Sequence, residues 1–76
     1  MRPKKSPANQ ALAKVIRQAR EQRGHTQAAV ASRAGLSTAY YSSIERGEMN
    51  PTVDTLLKVT AALGMGANEL FGKAQL

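Results

Sequence analysis

Leu12, Val15, Ile16 and Ala19 recur at i, i+3, i+4 and i+7, which is one face of a helix. Lys14, Arg17, Gln18 and Glu21 fall away from that face. Ser6-Pro7 stands ahead of the pattern as an N-cap followed by proline at the first helical position, where no amide hydrogen is needed. Gly24 supplies a left-handed stop, so the pattern predicts a helix over 7–22. Thr26 can cap a second helix over 27–33, with Val30, Ala31 and Ala34 on one side and Gly35 breaking it. Ser37 can cap a third over 38–45, which Gly47 ends, and 48–51 reads as a loop. Thr52 caps a fourth, and Asp54 in its first turn suits the helix dipole. Val53, Leu56, Leu57, Thr60 and Leu63 carry that helix to Gly64, and a last short helix over 67–72 bears Leu70 and Phe71. No stretch alternates like a strand and none repeats, so the expected class is all-α.

With 76 residues there is room for one small domain and a thin core. Domains of this size often draw extra stability from disulfides, metal or a second subunit. The chain has no cysteine, and its one histidine is His25, which excludes disulfides and thiolate or histidine-rich metal sites. A second copy of the chain is the remaining device. Five acidic residues and one histidine also give little material for acid/base or nucleophilic catalysis, so neither enzyme activity nor a cofactor is expected. The apolar runs are far shorter than the roughly 18 residues that span a bilayer. The N-terminus has no apolar signal stretch, so no membrane is expected and the cytoplasm is the default compartment.

Charge changes the picture more. The net charge is +6, and its distribution is uneven. Residues 1–25 carry seven Lys and Arg against one Glu, whereas the rest carry four against four. This asymmetry points to a polyanionic partner, either nucleic acid or an anionic membrane surface. Its plain alternative is a solvated basic tail. Residues 1–6 read as a flexible basic arm, and the remainder, 7–76, as the folded domain.

Two short helices joined by a tight glycine turn at 27–45 make a helix-turn-helix pattern. Ala31 stands where a second helix must approach closely, Gly35 where a positive φ is cheap, and Leu36 and Ile44 where apolar groups tuck under helix 2. The string Gln27-Ala-Ala-Val30-Ala31, Gly35-Leu36-Ser37 and Ile44-Glu45-Arg46-Gly47 resembles the phage-repressor and Cro type of regulator, the Xre family. The resemblance continues through Asn50-Pro51-Thr52, Leu56-Leu57, Ala62-Leu63-Gly64 and Glu69-Leu70-Phe71, about residues 10–72 in all. It implies a compact bundle of five short helices whose third helix enters the major groove of double-stranded DNA.

By that resemblance Gln27 hydrogen-bonds a phosphate beside the amides of the helix 2 N-terminus. Ser37, Thr38, Ala39 and Ser43 match positions that face base edges, and Tyr40 and Ser42 match positions near the backbone at the groove rim. Arg17, Arg46, Lys4 and Lys5 are further basic residues expected to bind the DNA. Relatives with this pattern pair an arginine of helix 1 with the glutamate near the end of helix 3, here Arg20 and Glu45. Glu45→Ala is therefore expected to destabilise the fold by about 1–3 kcal/mol, more than Glu48→Ala in the loop. Two positions depart from the family. Ala28 and Ala29 stand where acidic residues are common, so the capping box with Thr26 is missing. Tyr41 stands where Ile or Val is usual, and its hydroxyl needs water or a partner.

The expected function is a sequence-specific, DNA-binding transcriptional regulator acting as a homodimer on an inverted repeat, with Met65, Leu70 and Phe71 expected at the dimer contact. An antitoxin-type module that also binds its own operator is the alternative, although only Lys73-Ala74-Gln75-Leu76 follows the last helix to hold a toxin. A membrane-surface helix at 7–22 is a third and weaker reading. No small-molecule effector is expected. The short groove-facing side chains allow only modest base readout, with serines that hydrogen-bond without much preference. DNA deformability or the arm, Arg2, Lys4 and Lys5, would make up the difference.

Overall fold

A computed structural model describes residues 6–76 as five α-helices: α1 (Pro7–Gln22), α2 (Gln27–Ala34), α3 (Thr38–Glu45), α4 (Val53–Leu63) and α5 (Ala67–Lys73). No strand occurs among the described residues. The helices start where the capping residues stand. Ser6 Oγ accepts the Asn9 N–H at 3.0 Å, so Ser6 belongs to the α1 cap. Thr26, Ser37 and Thr52 accept the N–H groups of Ala29, Tyr40 and Thr55 at 3.0–3.1 Å. Each such cap contributes about 1 kcal/mol. α5 starts at Gly66 with no side-chain cap.

The link between α2 and α3 turns on Gly35, whose φ of 72° is costly for any residue with a Cβ. Gly47, at φ 71°, ends α3 and passes so close to α1 that a Cβ there would touch the Gln10 backbone at 3.5 Å. It thereby ties the end of α3 to the start of α1.

The five largest fully buried side chains are Ile16, Val30, Tyr41, Val59 and Leu70, one from each helix. They form one core cluster with Leu12, Val15, Ala19, Ala31, Ala34, Ile44, Leu56, Leu63 and Met65. α2 packs most extensively on α4, α5 rests on α1 and α4, and α3 is held by α1 and α2. The inner side of α3 is thus Tyr41, Ile44 and Glu45. Its outer side keeps Thr38, Ala39 and Arg46 exposed and Ser42 and Ser43 half-buried.

Candidate nucleic-acid interface

α3 offers a polar outer face because its inner face is anchored by a charged joint. Glu45 lies in the last turn of α3 with its side chain 2% exposed. Arg20, 13% exposed, reaches it from α1 in a two-pronged contact, Nε–H to Oε2 at 2.7 Å and Nη2–H to Oε1 at 3.1 Å. The third guanidinium nitrogen donates to the His25 carbonyl at 3.0 Å. The Tyr41 hydroxyl, one turn back on α3, donates to Oε2 at 2.5 Å. From α2, Gln27 Nε2 donates to Oε1 at 2.9 Å, and Ser42 Oγ donates to Gln27 Oε1 at 2.8 Å. Three helices therefore meet on one carboxylate. Among the described residues no buried side-chain nitrogen or oxygen lacks a partner.

The charges follow from this geometry. Burial pushes the Glu45 carboxyl upward, but the donors from Arg20, Tyr41 and Gln27 and the Arg20 charge outweigh it and hold the carboxyl below the usual range. Burial, then the hydrogen bond to Glu45, raises the Tyr41 phenol far above its ordinary value. Glu45 is ionised and Tyr41 is neutral at any ordinary pH.

The expected pair of Arg20 and Glu45 is thus present, and it is more deeply buried than a pair at the edge of an apolar face. Tyr41 is structural, with its ring in the core and its hydroxyl on Glu45. The i, i+4 spacing of Tyr41 and Glu45 carried that contact in the sequence. Nothing local carried the Gln27 link, which spans 15 and 18 residues. Gln27 spends its carbonyl on Ser42 and one amide hydrogen on Glu45, and its other amide hydrogen has no side-chain partner among the described residues. α2 has no acidic residue in its first turn, as its two alanines imply.

Ser37, Thr38 and Ala39 are exposed at the start of α3, and Tyr40 is half-buried against the core. Arg17 is exposed on α1 and has no ion pair among the described residues, whereas exposed Arg46 is bound to Glu48 at 2.9 Å. Lys4 and Lys5 lie outside the described residues. The expected dimer residues need correction. Leu70 is 0% exposed and Met65 7%, because α5 folds back onto α1 and α4 and both side chains fill the core of their own protomer. Phe71 alone is partly exposed. Among the described residues the uncovered large apolar groups are instead Val53 and Leu57, one turn apart on α4 and 66% and 49% exposed, with Met49 and Leu76. Among the described residues no His, Asp or Glu cluster could hold a metal ion, and no helix is long and apolar enough to cross a membrane.

A curated relative, the uncharacterized HTH-type transcriptional regulator y4dJ of Sinorhizobium fredii, is 49% identical over 51 residues, covering 67% of this chain and 66% of that one. The immunity repressor protein of Bacillus phage phi105 is 38% identical over 61 residues, 80% of this chain and 42% of the repressor. The chain therefore spans two thirds or less of the length of these curated relatives. Among solved structures, the restriction-modification controller protein C.AhdI from Aeromonas hydrophila superimposes with a TM-score of 0.80 at 30% identity, over 83% of this chain and 96% of that one. The helix-turn-helix family profile matches residues 16–70, so that α2, Gly35 and α3 are its two helices and their turn, and the chain belongs to that helix-turn-helix family.

Proposed function

We propose that this protein is a sequence-specific regulator of transcription that lays α3 in the major groove of double-stranded DNA and works as a homodimer on an inverted repeat. The observation that carries this reading is the outer face of α3. Thr38, Ala39, Ser42, Ser43 and Arg46 face away from the core while Arg20 and Gln27 lock the helix from behind. An α-helix with its side chains is about 10–12 Å across, which suits a major groove about 12 Å wide. The net charge of +6 favours a polyanion, and the basic arm ahead of Ser6 adds phosphate neutralisation. Relatives named as an immunity repressor and a controller protein support the same reading.

The thin core and the exposed Val53 and Leu57, which leave apolar surface uncovered on α4, support the dimer. Two-fold symmetry then places half-site centres roughly 34 Å apart or a multiple of one turn. Selection of bound duplexes from a random pool tests all of this together. An enriched inverted repeat is expected. Failure to enrich any motif would sink the reading, and sedimentation as a monomer both free and on DNA would sink its dimeric part.

A further inference from the structure

The hydroxyl groups on the outer face of α3 are not equivalent. Ser43 Oγ lies 2.6 Å from the Tyr40 carbonyl oxygen, one turn back on the same helix. A carbonyl can only accept, so the Ser43 proton is spent on it. Ser42 reaches the same condition by a longer route. The ionised carboxylate of Glu45 can only accept, so the Gln27 amide must turn its nitrogen toward Glu45 and its oxygen toward Ser42. Ser42 then donates to that oxygen at 2.8 Å. Both half-buried serines keep only lone pairs for an outside partner.

The start of the helix has the opposite character. Ser37 Oγ accepts the Tyr40 N–H at 3.1 Å and keeps its own proton, and Thr38 makes no side-chain hydrogen bond among the described residues. The face thus runs from donors at Ser37 and Thr38 to acceptors at Ser42 and Ser43.

Resting on the DNA-binding reading above, we propose that Ser43, its proton held by the Tyr40 carbonyl, is a specificity residue that accepts a hydrogen bond from the exocyclic amino group of an adenine or a cytosine in the major groove. Only these two bases present an amino donor there. Guanine offers O6 and N7, and thymine offers O4, all of them acceptors that would meet a lone pair. Phosphate oxygens are acceptors as well, so Ser42 does not donate to the DNA backbone from this arrangement. Its remaining lone pairs suit an amino group or a bridging water. Rotating the Ser42 hydroxyl outward would leave the Gln27 oxygen without its donor, and rotating Ser43 would give up the Tyr40 contact. The polarity of this face is therefore set from inside the protein, by a relay that begins at Arg20 and Glu45. This replaces the expectation that the serines hydrogen-bond without preference.

The test pairs a protein change with a base change. Motifs are selected from a random duplex pool by the wild type and by Ser43→Ala at one salt concentration. The wild-type motif is expected to hold one base pair that Ser43→Ala relaxes, and the adenine or cytosine of that pair carries the amino donor. Replacing that base by an analogue carrying hydrogen in place of the amino group should weaken the wild type about three- to tenfold and leave Ser43→Ala almost unchanged. The base analogue acts on the wild-type protein, so the result does not depend on how well the variant folds. An unchanged motif overturns the proposal, and so does an equal loss for both proteins when the amino group of the relaxed pair is removed. A folded wild type that enriches no motif overturns the DNA-reading function itself, and the proposal with it.

Discussion

α2 is held by two joints of opposite kind. Toward α4 the joint is apolar, built from Val30, Ala31 and Ala34 on one side and Leu56, Val59 and Leu63 on the other, and it is the most extensive helix contact in the molecule. Toward α3 and α1 it is polar, with Arg20, Gln27, Tyr41 and Ser42 converging on Glu45 and its amide relay. Burial of apolar area is non-directional, so the first joint contributes stability while tolerating small changes of angle. Hydrogen bonds to a carboxylate are directional, so the second fixes how α3 leans and which way its serines point. A buried ion pair adds little net stability over an apolar isostere, yet loss of one side is expensive. Apolar burial dominates one joint, and directional hydrogen bonds set the outer face of α3 at the other.

The largest expected effect comes from stranding the charge in the polar joint. Glu45→Ala leaves Arg20 13% exposed without its carboxylate and Tyr41 and Gln27 without an acceptor. The expected loss is about 3–5 kcal/mol by urea unfolding, above the range for a half-buried pair. Glu48→Ala, which breaks an exposed contact to Arg46, should stay within about 0.5 kcal/mol. Similar losses for the two variants would erase the contrast between buried and exposed pairs.

A cut in the apolar joint should cost comparable stability without touching readout. Leu63 is 3% exposed, and Leu63→Ala is expected to lose about 2–4 kcal/mol. In conditions where the variant remains folded, its ratio of operator to random-duplex affinity should match the wild type. A fall in that ratio would show that both joints set the face.

Acid should open the polar joint selectively. The Glu45 carboxyl titrates below its unfolded value because the donors outweigh burial. The unfolded chain therefore takes up the proton first, and the stabilisation is present above about pH 4.3 and lost as pH falls through the lower folded value. Melting temperatures between about pH 4.5 and 2 should fall more steeply for the wild type than for Glu45→Gln, which has no proton to gain there. Parallel curves would remove Glu45 as the source of the acid sensitivity.

An effect between these cuts and the Glu48→Ala control belongs to the hydroxyl that lies across the boundary between core and joint. Tyr41→Phe keeps the ring that fills the core and deletes one donor to Glu45, for an expected loss of about 1–2 kcal/mol. A loss near zero would mean that Arg20 and Gln27 alone satisfy the carboxylate.

Helix positions were written in short-range chemistry. Ser6, Thr26, Ser37 and Thr52 each bond an amide three residues on, and Gly24, Gly35, Gly47 and Gly64 each adopt a positive φ, so neighbours in the chain were enough to place them. The charge asymmetry and the helix-turn-helix string were likewise legible, and so was the need of Tyr41 for a partner. Packing decided the rest. Leu70 and Met65 have the same apolar character inside a core or at a dimer contact, and only the return of α5 onto α1 and α4 buried them in their own protomer. Gln27 looks in sequence like a free amide, and only the approach of α2 to α3 gave it Glu45 and Ser42. Caps and turns depend on atoms within four residues, which a sequence lists in order. The partners of a buried amide and the direction of a serine proton depend on which distant groups packing brings within 3 Å, and that is settled only when the whole chain has folded.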